Sequence, residues 1–309
     1  MGKIAAVAIN TFREAVRDRV LYGLVGVALF VLFLTLALAE LSLHQERRIV
    51  LDIGLASISL FSVVVSVFLG SSLLYKEIER KTLYVVLPKP VERYQFLLGK
   101  YLGITLTAGV FIAIMGAVQL WLTAVQAGVA KTFTLTALGG LPALLLLCVW
   151  RARDRTAVVV PWSLFTLAVC TAIAMKADVP LFPLLSALAL VVGEVLVVTA
   201  VALLFSAFST PFLTALFTAG LWLVGRSADS MATMKSKVLS TSIKDALKAL
   251  VHIIPNFNLF VPGQHTLENQ IDGSAGPLAY VLTSLGYAVV YSTLLVALAA
   301  FIFRRRDLL

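Results

Sequence analysis

Val20–Ala39 reads VLYGLVGVALFVLFLTLALA, twenty residues without a charge. A helix needs roughly 20 apolar residues to cross the hydrocarbon layer of a bilayer. A strand of an outer-membrane barrel would instead alternate apolar and polar residues, and this run is continuous. The same reading applies to Ile53–Tyr75, Tyr101–Val125, Leu181–Phe205 and Leu278–Phe303. Phe133–Trp150 and Ala157–Met175 are shorter but long enough. Phe212–Val224 is too short alone and borrows Pro211 and residues beyond Gly225. The fold class predicted is all-α, a polytopic transmembrane helix bundle of eight spans. Six spans, with Phe133–Met175 as a re-entrant excursion, are the alternative.

Composition agrees. Of 309 residues 60% are hydrophobic and 13% charged, and the mean hydropathy is +0.99; a soluble domain could not hide so much apolar surface. The net charge of +9 does not point to nucleic acid, because the basic residues flank the apolar runs rather than gather with aromatics on one surface. Cys148 and Cys170 sit inside apolar runs at different expected depths, as buried thiols rather than a disulfide. Ala37 and Ala39 form an A-x-A pattern after an apolar stretch. That stretch exceeds the roughly 7–15 residues of a signal core, so it is predicted to be retained as the first span.

Lysine and arginine orient the bundle. With both termini inside, the cytoplasmic face holds sixteen of the 25 basic residues, six of them between Lys76 and Lys100 and three in the fragment RARDR, Arg151–Arg155. The outer face holds nine, five of them in one long loop. Gly70, Ser71, Ser72, Gly103 and Gly109 are expected to permit close helix packing.

Three polar elements remain. Ile4, Ala8, Phe12, Ala15 and Val16 share a helical face opposite Lys3, Asn10, Arg13 and Arg17, which predicts an interfacial helix over residues 1–19. Residues 226–277 are predicted as an extracytoplasmic loop, with an amphipathic helix over Ala228–Ile254 that Pro255 ends. The third element, KEIERKTLYVVLPKPVERYQFLLGK at Lys76–Lys100, is too polar for lipid and too patterned for a slack linker. Ile78, Thr82, Leu83, Val86 and Leu87 share a face, Pro88 stops that helix, and Pro90 suits the first turn of the next.

YKEIERKTLYVVLPKPVERYQFLLGKYLG resembles the cytoplasmic loop of ABC-2 type transporter permeases, the NosY/NatB-like group. The resemblance extends to NTFREAVRDRVLY at Asn10–Tyr22, GEVLVVTAVALLFSAFSTP at Gly193–Pro211, PNFNLF at Pro255–Phe260 and the closing FRRRDLL. It implies one permease domain over 1–309, an ABC-2 (type V) exporter-like bundle whose segment 76–100 is the coupling helix. Glu77, Glu79, Arg80, Lys81 and Thr82 would form the segment that docks on the ATPase. Lys89, Pro90, Val91, Glu92 and Arg93 would form its turn. The implied partners are two copies of a cytoplasmic ABC ATPase carrying ATP and magnesium, a second permease chain and membrane lipid. The implied location is a bacterial or archaeal inner membrane. The departure is 127–180, which looks like an inserted helix pair.

No Walker A pattern occurs, since Gly99-Lys100 lacks the earlier glycine and a following Ser or Thr; ATP turnover is expected only from a partner. His44, His252 and His265 are far apart and form no metal-ligand spacing. Glu194 is the acidic residue well inside a span. An ionised carboxylate at mid-bilayer costs roughly 2.5–3.5 kcal/mol, so it must face the bundle interior or a wet cavity. Two readings stand: a group of the substrate path or gate, and a structural hydrogen-bonding residue between helices. An ion-coupled secondary transporter and a non-transport subunit of a surface machine remain the alternative functions. A membrane-bound enzyme would need clustered His, Asp or Cys, and none is visible.

Overall fold

The computed structural model describes residues 2–41, 46–79, 92–128, 131–152, 154, 156–176, 179, 181–227, 254–261 and 276–305; side chains of 73–79, 131–138 and 305 lie outside that description. Every regular element among these residues is helical. In order they are α1 (Lys3–Arg17), α2 (Arg19–Glu40), α3 (Glu46–Glu79), α4 (Arg93–Gln126), α5 (Lys131–Arg151), α6 (Val159–Met175), α7 (Leu181–Ser206), α8 (Pro211–Arg226), a 3₁₀ turn at Phe257–Phe260 and α9 (Pro277–Arg305). Each of the eight apolar runs is therefore helical. Five helices, α2, α3, α4, α7 and α9, are long and apolar enough to cross a membrane; the apolar parts of α5, α6 and α8 are shorter.

Local chemistry sets several boundaries. α1 buries Ala8, Thr11, Phe12 and Ala15, the i, i+3, i+4, i+7 stripe of an amphipathic helix. It stops at Arg17, two residues before the expected end, because Asp18 is extended at φ −74°, ψ 126°. Its carboxylate accepts the Val20 N–H at 3.0 Å and so caps the start of α2. α4 ends before Gly128, whose φ of +79° is a left-handed turn that favours glycine.

α3 and α4 are each 34 residues long, about 51 Å at 1.5 Å per residue. α3 runs on through Ile78 to Glu79; the rest of the short amphipathic helix predicted there, Thr82 to Leu87, lies outside the described residues. α4 begins at Arg93, not at Pro90. The Glu92 carbonyl accepts the Phe96 N–H at 3.1 Å, the first bond of the helix, so Glu92 stands at its cap. α8 starts at Pro211, its fixed φ suiting a first turn, and does borrow Gly225 and Arg226. At 16 residues it spans only about 24 Å.

The chain divides into two compact units, each described by itself. One comprises Ile9–Val65 and Gly103–Val192. Its core packs Leu51 of α3, Ala117, Leu120 and Ala124 of α4, Cys170 and Ala174 of α6 and Leu184 of α7, with small residues letting helix backbones approach. A Cβ at Gly54 would overlap the Gln119 carboxamide, which donates to the Val50 carbonyl at 2.9 Å. The Trp162 indole of α6 donates to the Leu141 carbonyl of α5 at 3.1 Å. Cys148 and Cys170 are free thiols.

The other unit comprises Met1–Ala8, Ser66–Leu102 and Gly193–Leu309. Gly70 of α3 faces Ala202 of α7 so closely that a Cβ there would lie 2.6 Å from the Ala202 Cβ. Gly109, expected in a similar role in the first unit, would carry a Cβ with nothing within 4 Å of it; its helix face is open, and close packing is not its reason.

Candidate functional site

Glu194 lies 13 residues into α7, about 20 Å along the helix. Its side chain is wholly buried, in a helix where an unpaired carboxylate would be costly. Two donors on α8 meet it. The Trp222 indole donates to Glu194 Oε1 at 2.7 Å, and Arg226 Nη1 donates to the same oxygen at 2.8 Å. Trp222 and Arg226 are four residues apart, hence on one face of α8, and the guanidinium also lies over the indole ring at 5.3 Å. The Arg226 side chain is 26% exposed, so the pair is dry at the carboxylate and reaches solvent or headgroups at the other end.

Glycines flank both charges. A Cβ at Gly193 would come within 2.9 Å of the Phe260 ring, and one at Gly225 would overlap the Pro255 carbonyl and the Phe257 ring. Both absences of a side chain let the segment Pro255–Phe260 lie against the pair. From its sequence this segment is expected to be an irregular loop. Instead the Asn256 side chain accepts the Asn258 N–H at 2.9 Å, a local turn that competes with helix, and Phe257–Phe260 forms one 3₁₀ turn with both aromatic ends buried. α9 holds it in place: Tyr287 Oη accepts the Asn256 N–H at 3.2 Å, and Tyr280 Oη donates to the Leu259 carbonyl at 2.8 Å.

The sequence assigns no role at this site to Trp222 or Arg226, and it places Arg226 as a loop charge on the outer face. Arg226 is in fact the last residue of α8, where its guanidinium meets the buried carboxylate. The signal that could find it is the demand for a partner that any mid-span carboxylate makes, together with the Trp-x-x-x-Arg spacing at the end of a short apolar helix.

The coupling residues are divided. Glu77 and Glu79 fall in the last turn of α3, with their side chains outside the described residues, as are Arg80, Lys81, Thr82, Lys89, Pro90 and Val91 altogether. Glu92 is exposed. Arg93 Nη1 donates to the carbonyls of Phe303 at 3.4 Å and Arg304 at 3.1 Å, the C-terminal end of α9, where a cation is favoured. Two turns on, Lys100 is buried with its ammonium 5.8 Å from the Phe96 ring centroid. A Cβ at Gly99 would lie 2.6 Å from Val7 Cβ and 3.0 Å from the Ile4 carbonyl. The start of α4 is thus seated on both the first turns of α1 and the end of α9. Among the described residues no three His, Cys, Asp or Glu side chains gather as a metal site.

Compared with models of protein families, the chain matches none, and no curated protein matches it either.

Proposed function

We propose that the chain is the membrane-spanning permease subunit of an ABC-2 type transporter, an exporter whose segment 76–100 couples it to a separate cytoplasmic ATPase. The observation that carries this reading is the seating of α4. α3 and α4 are each about 51 Å long against a hydrocarbon layer of about 30 Å, so their polar ends extend past it and bracket residues 80–91. A segment that receives force from a moving partner needs a stiff base. Here Gly99 against α1 and Arg93 on the last carbonyls of α9 supply one, and a push on the turn reaches both ends of the chain.

Orientation rests on a second contact. Arg13 Nη2 of α1 pairs with Asp154 Oδ2, between α5 and α6, at 3.0 Å. The pair is exposed and adds little stability, but it supports one membrane face for α1 and the RARDR fragment. Four crossings by α2 to α5 satisfy that, and we favour them over a re-entrant pair. Both termini are then cytoplasmic, in a bacterial or archaeal inner membrane, with a second permease chain completing the translocator. Glu194, engaged by two donors of α8, acts in this reading as the clasp between α7 and α8 rather than as an open ion site, which weighs against a secondary transporter.

The test is charge reversal, Glu79→Lys with Arg80→Glu. Expression and melting should stay near wild type, since changes in a cytoplasmic surface segment, the role proposed for 76–100, shift stability by under about 0.5 kcal/mol. Capture of the cytoplasmic ATPase that this reading requires should fall, because an interfacial charge that loses its partner costs about 2–5 kcal/mol of binding. Normal capture by a well-folded variant would remove the coupling role.

A further inference from the structure

The unit built from Ile9–Val65 and Gly103–Val192 contains a cavity of about 120 Å³ between α2, α4, α5 and α6. Its floor is Ala117 and Cys170, both buried, and its rim includes Phe33, 42% exposed, and the exposed Pro142. Trp121 and Trp162 form its walls, with Phe33 set edge-on to Trp121 at 6.2 Å between centroids.

Nothing in the lining asks for a polar ligand. The Trp162 N–H is spent on the Leu141 carbonyl, and the Thr166 hydroxyl donates to the Trp162 carbonyl at 2.8 Å. No lining side chain carries a carboxylate, so the aromatic walls are not completed into a cation site. An apolar void of comparable size, about 150 Å³, stays dry and takes up a small hydrocarbon. Left empty, its walls would forfeit dispersion contacts on one side.

The mouth of the cavity decides the occupant. One turn past Pro142 on the same face of α5, Leu146 is 70% exposed, an apolar surface of the kind that lipid tails cover in a bilayer. Pro142 sits in the helix interior, where it removes one backbone donor and crowds the preceding turn, next to Gly139 and Gly140 with no side chains at all. A chain entering from that surface meets an almost wholly apolar lining.

We propose that this cavity is a lateral lipid site that holds part of one acyl chain of a membrane phospholipid, between α2 and the α5–α6 pair. It does not depend on the identity of the ATPase partner or on the coupling role of residues 76–100.

The probe is a phosphatidylcholine with a diazirine in its acyl chain, reconstituted as a trace component with the full-length protein in phosphatidylcholine nanodiscs. Photolysis followed by peptide mapping should place adducts at the floor and walls, on peptides carrying Ala117, Trp162 and Cys170. Trp150, 87% exposed, serves as the reference for ordinary lipid contact. Val118→Phe, and separately Val118→Leu, on the half-buried wall should cut the floor adducts about tenfold, equivalent to about 1.4 kcal/mol, with Trp150 labelling unchanged and the fold retained by circular dichroism. Labelling of Trp150 without floor adducts in the wild-type protein overturns the proposal whatever the variants do. Floor adducts that persist in a folded, cavity-filled variant overturn it too.

Discussion

Replacing Arg226 by alanine should be among the most damaging single changes in the chain, although the residue ends a helix and keeps a quarter of its side chain exposed. The reason is the carboxylate it leaves behind. Glu194 is wholly buried halfway along α7, and removing one partner of a buried pair costs about 3–5 kcal/mol, most of it the uncompensated charge. Two features place the expected loss at the lower end. The Trp222 indole still donates to Oε1, and the partial exposure of Arg226 means that part of its charge was already screened. We expect a loss of about 3 kcal/mol. Glu194→Gln keeps an acceptor for Trp222 and removes the charge, so about 1.5–3 kcal/mol is expected, the scale of one hydrogen bond to a charged group. The double change Glu194→Leu with Arg226→Met should return to within about 1 kcal/mol of wild type, because well-packed apolar residues often replace a buried pair at no cost. The assay is reversible unfolding in mixed micelles with rising dodecyl sulfate, followed by circular dichroism, run as a double-mutant cycle. Arg226→Ala within about 0.5 kcal/mol of wild type, or a double variant as unstable as the sum of its singles, would refute the clasp.

Gly99→Val should cost about 1–3 kcal/mol by overpacking, because the Ile4 carbonyl it meets is backbone and cannot swing aside; Gly139→Ala, with open space around it, should be neutral or stabilising by up to about 1 kcal/mol, and a pair of melting curves compares them. Asp18→Ala should lose about 1 kcal/mol through the cap of α2 and Asp18→Ser should restore most of it; equal effects of the two variants would show that the cap is not the reason α1 and α2 separate. An impermeant thiol reagent added outside intact cells, in a background lacking Cys148 and Cys170, should label a cysteine placed at Ser274 and leave one at Asp154 unlabelled. Labelling at position 154 would show that α2 to α5 do not make four crossings.

Class and element type were legible in the residues themselves, because continuous apolar runs of about 20 residues admit one solution in lipid: a helix that satisfies its own backbone. The amphipathic stripe of α1 and the proline that opens α8 were legible for the same local reasons. Exact boundaries were not: the Asp18 cap ends α1 early, and α4 begins at Arg93 where Pro90 was expected in the first turn. Gly109 was read as a packing glycine and faces open space, since a glycine's neighbour is a property of another helix.

The sequence alone required that Glu194 have a partner, because the cost of a bare carboxylate in an apolar helix follows from its position in that helix. It could not say which cation would supply the charge, and the one that does stands 32 residues away, where a loop was expected. The same division holds for Arg93, legible as part of a basic turn but not as a ligand of the last carbonyls of α9, 210 and 211 residues on. Periodicity and hydropathy act through the few residues of one turn or one span, and so are written along the chain. Pairing of a buried charge, the seating of a glycine on a distant carbonyl and the void beside Pro142 depend on which helices become neighbours, and only the tertiary packing decided that.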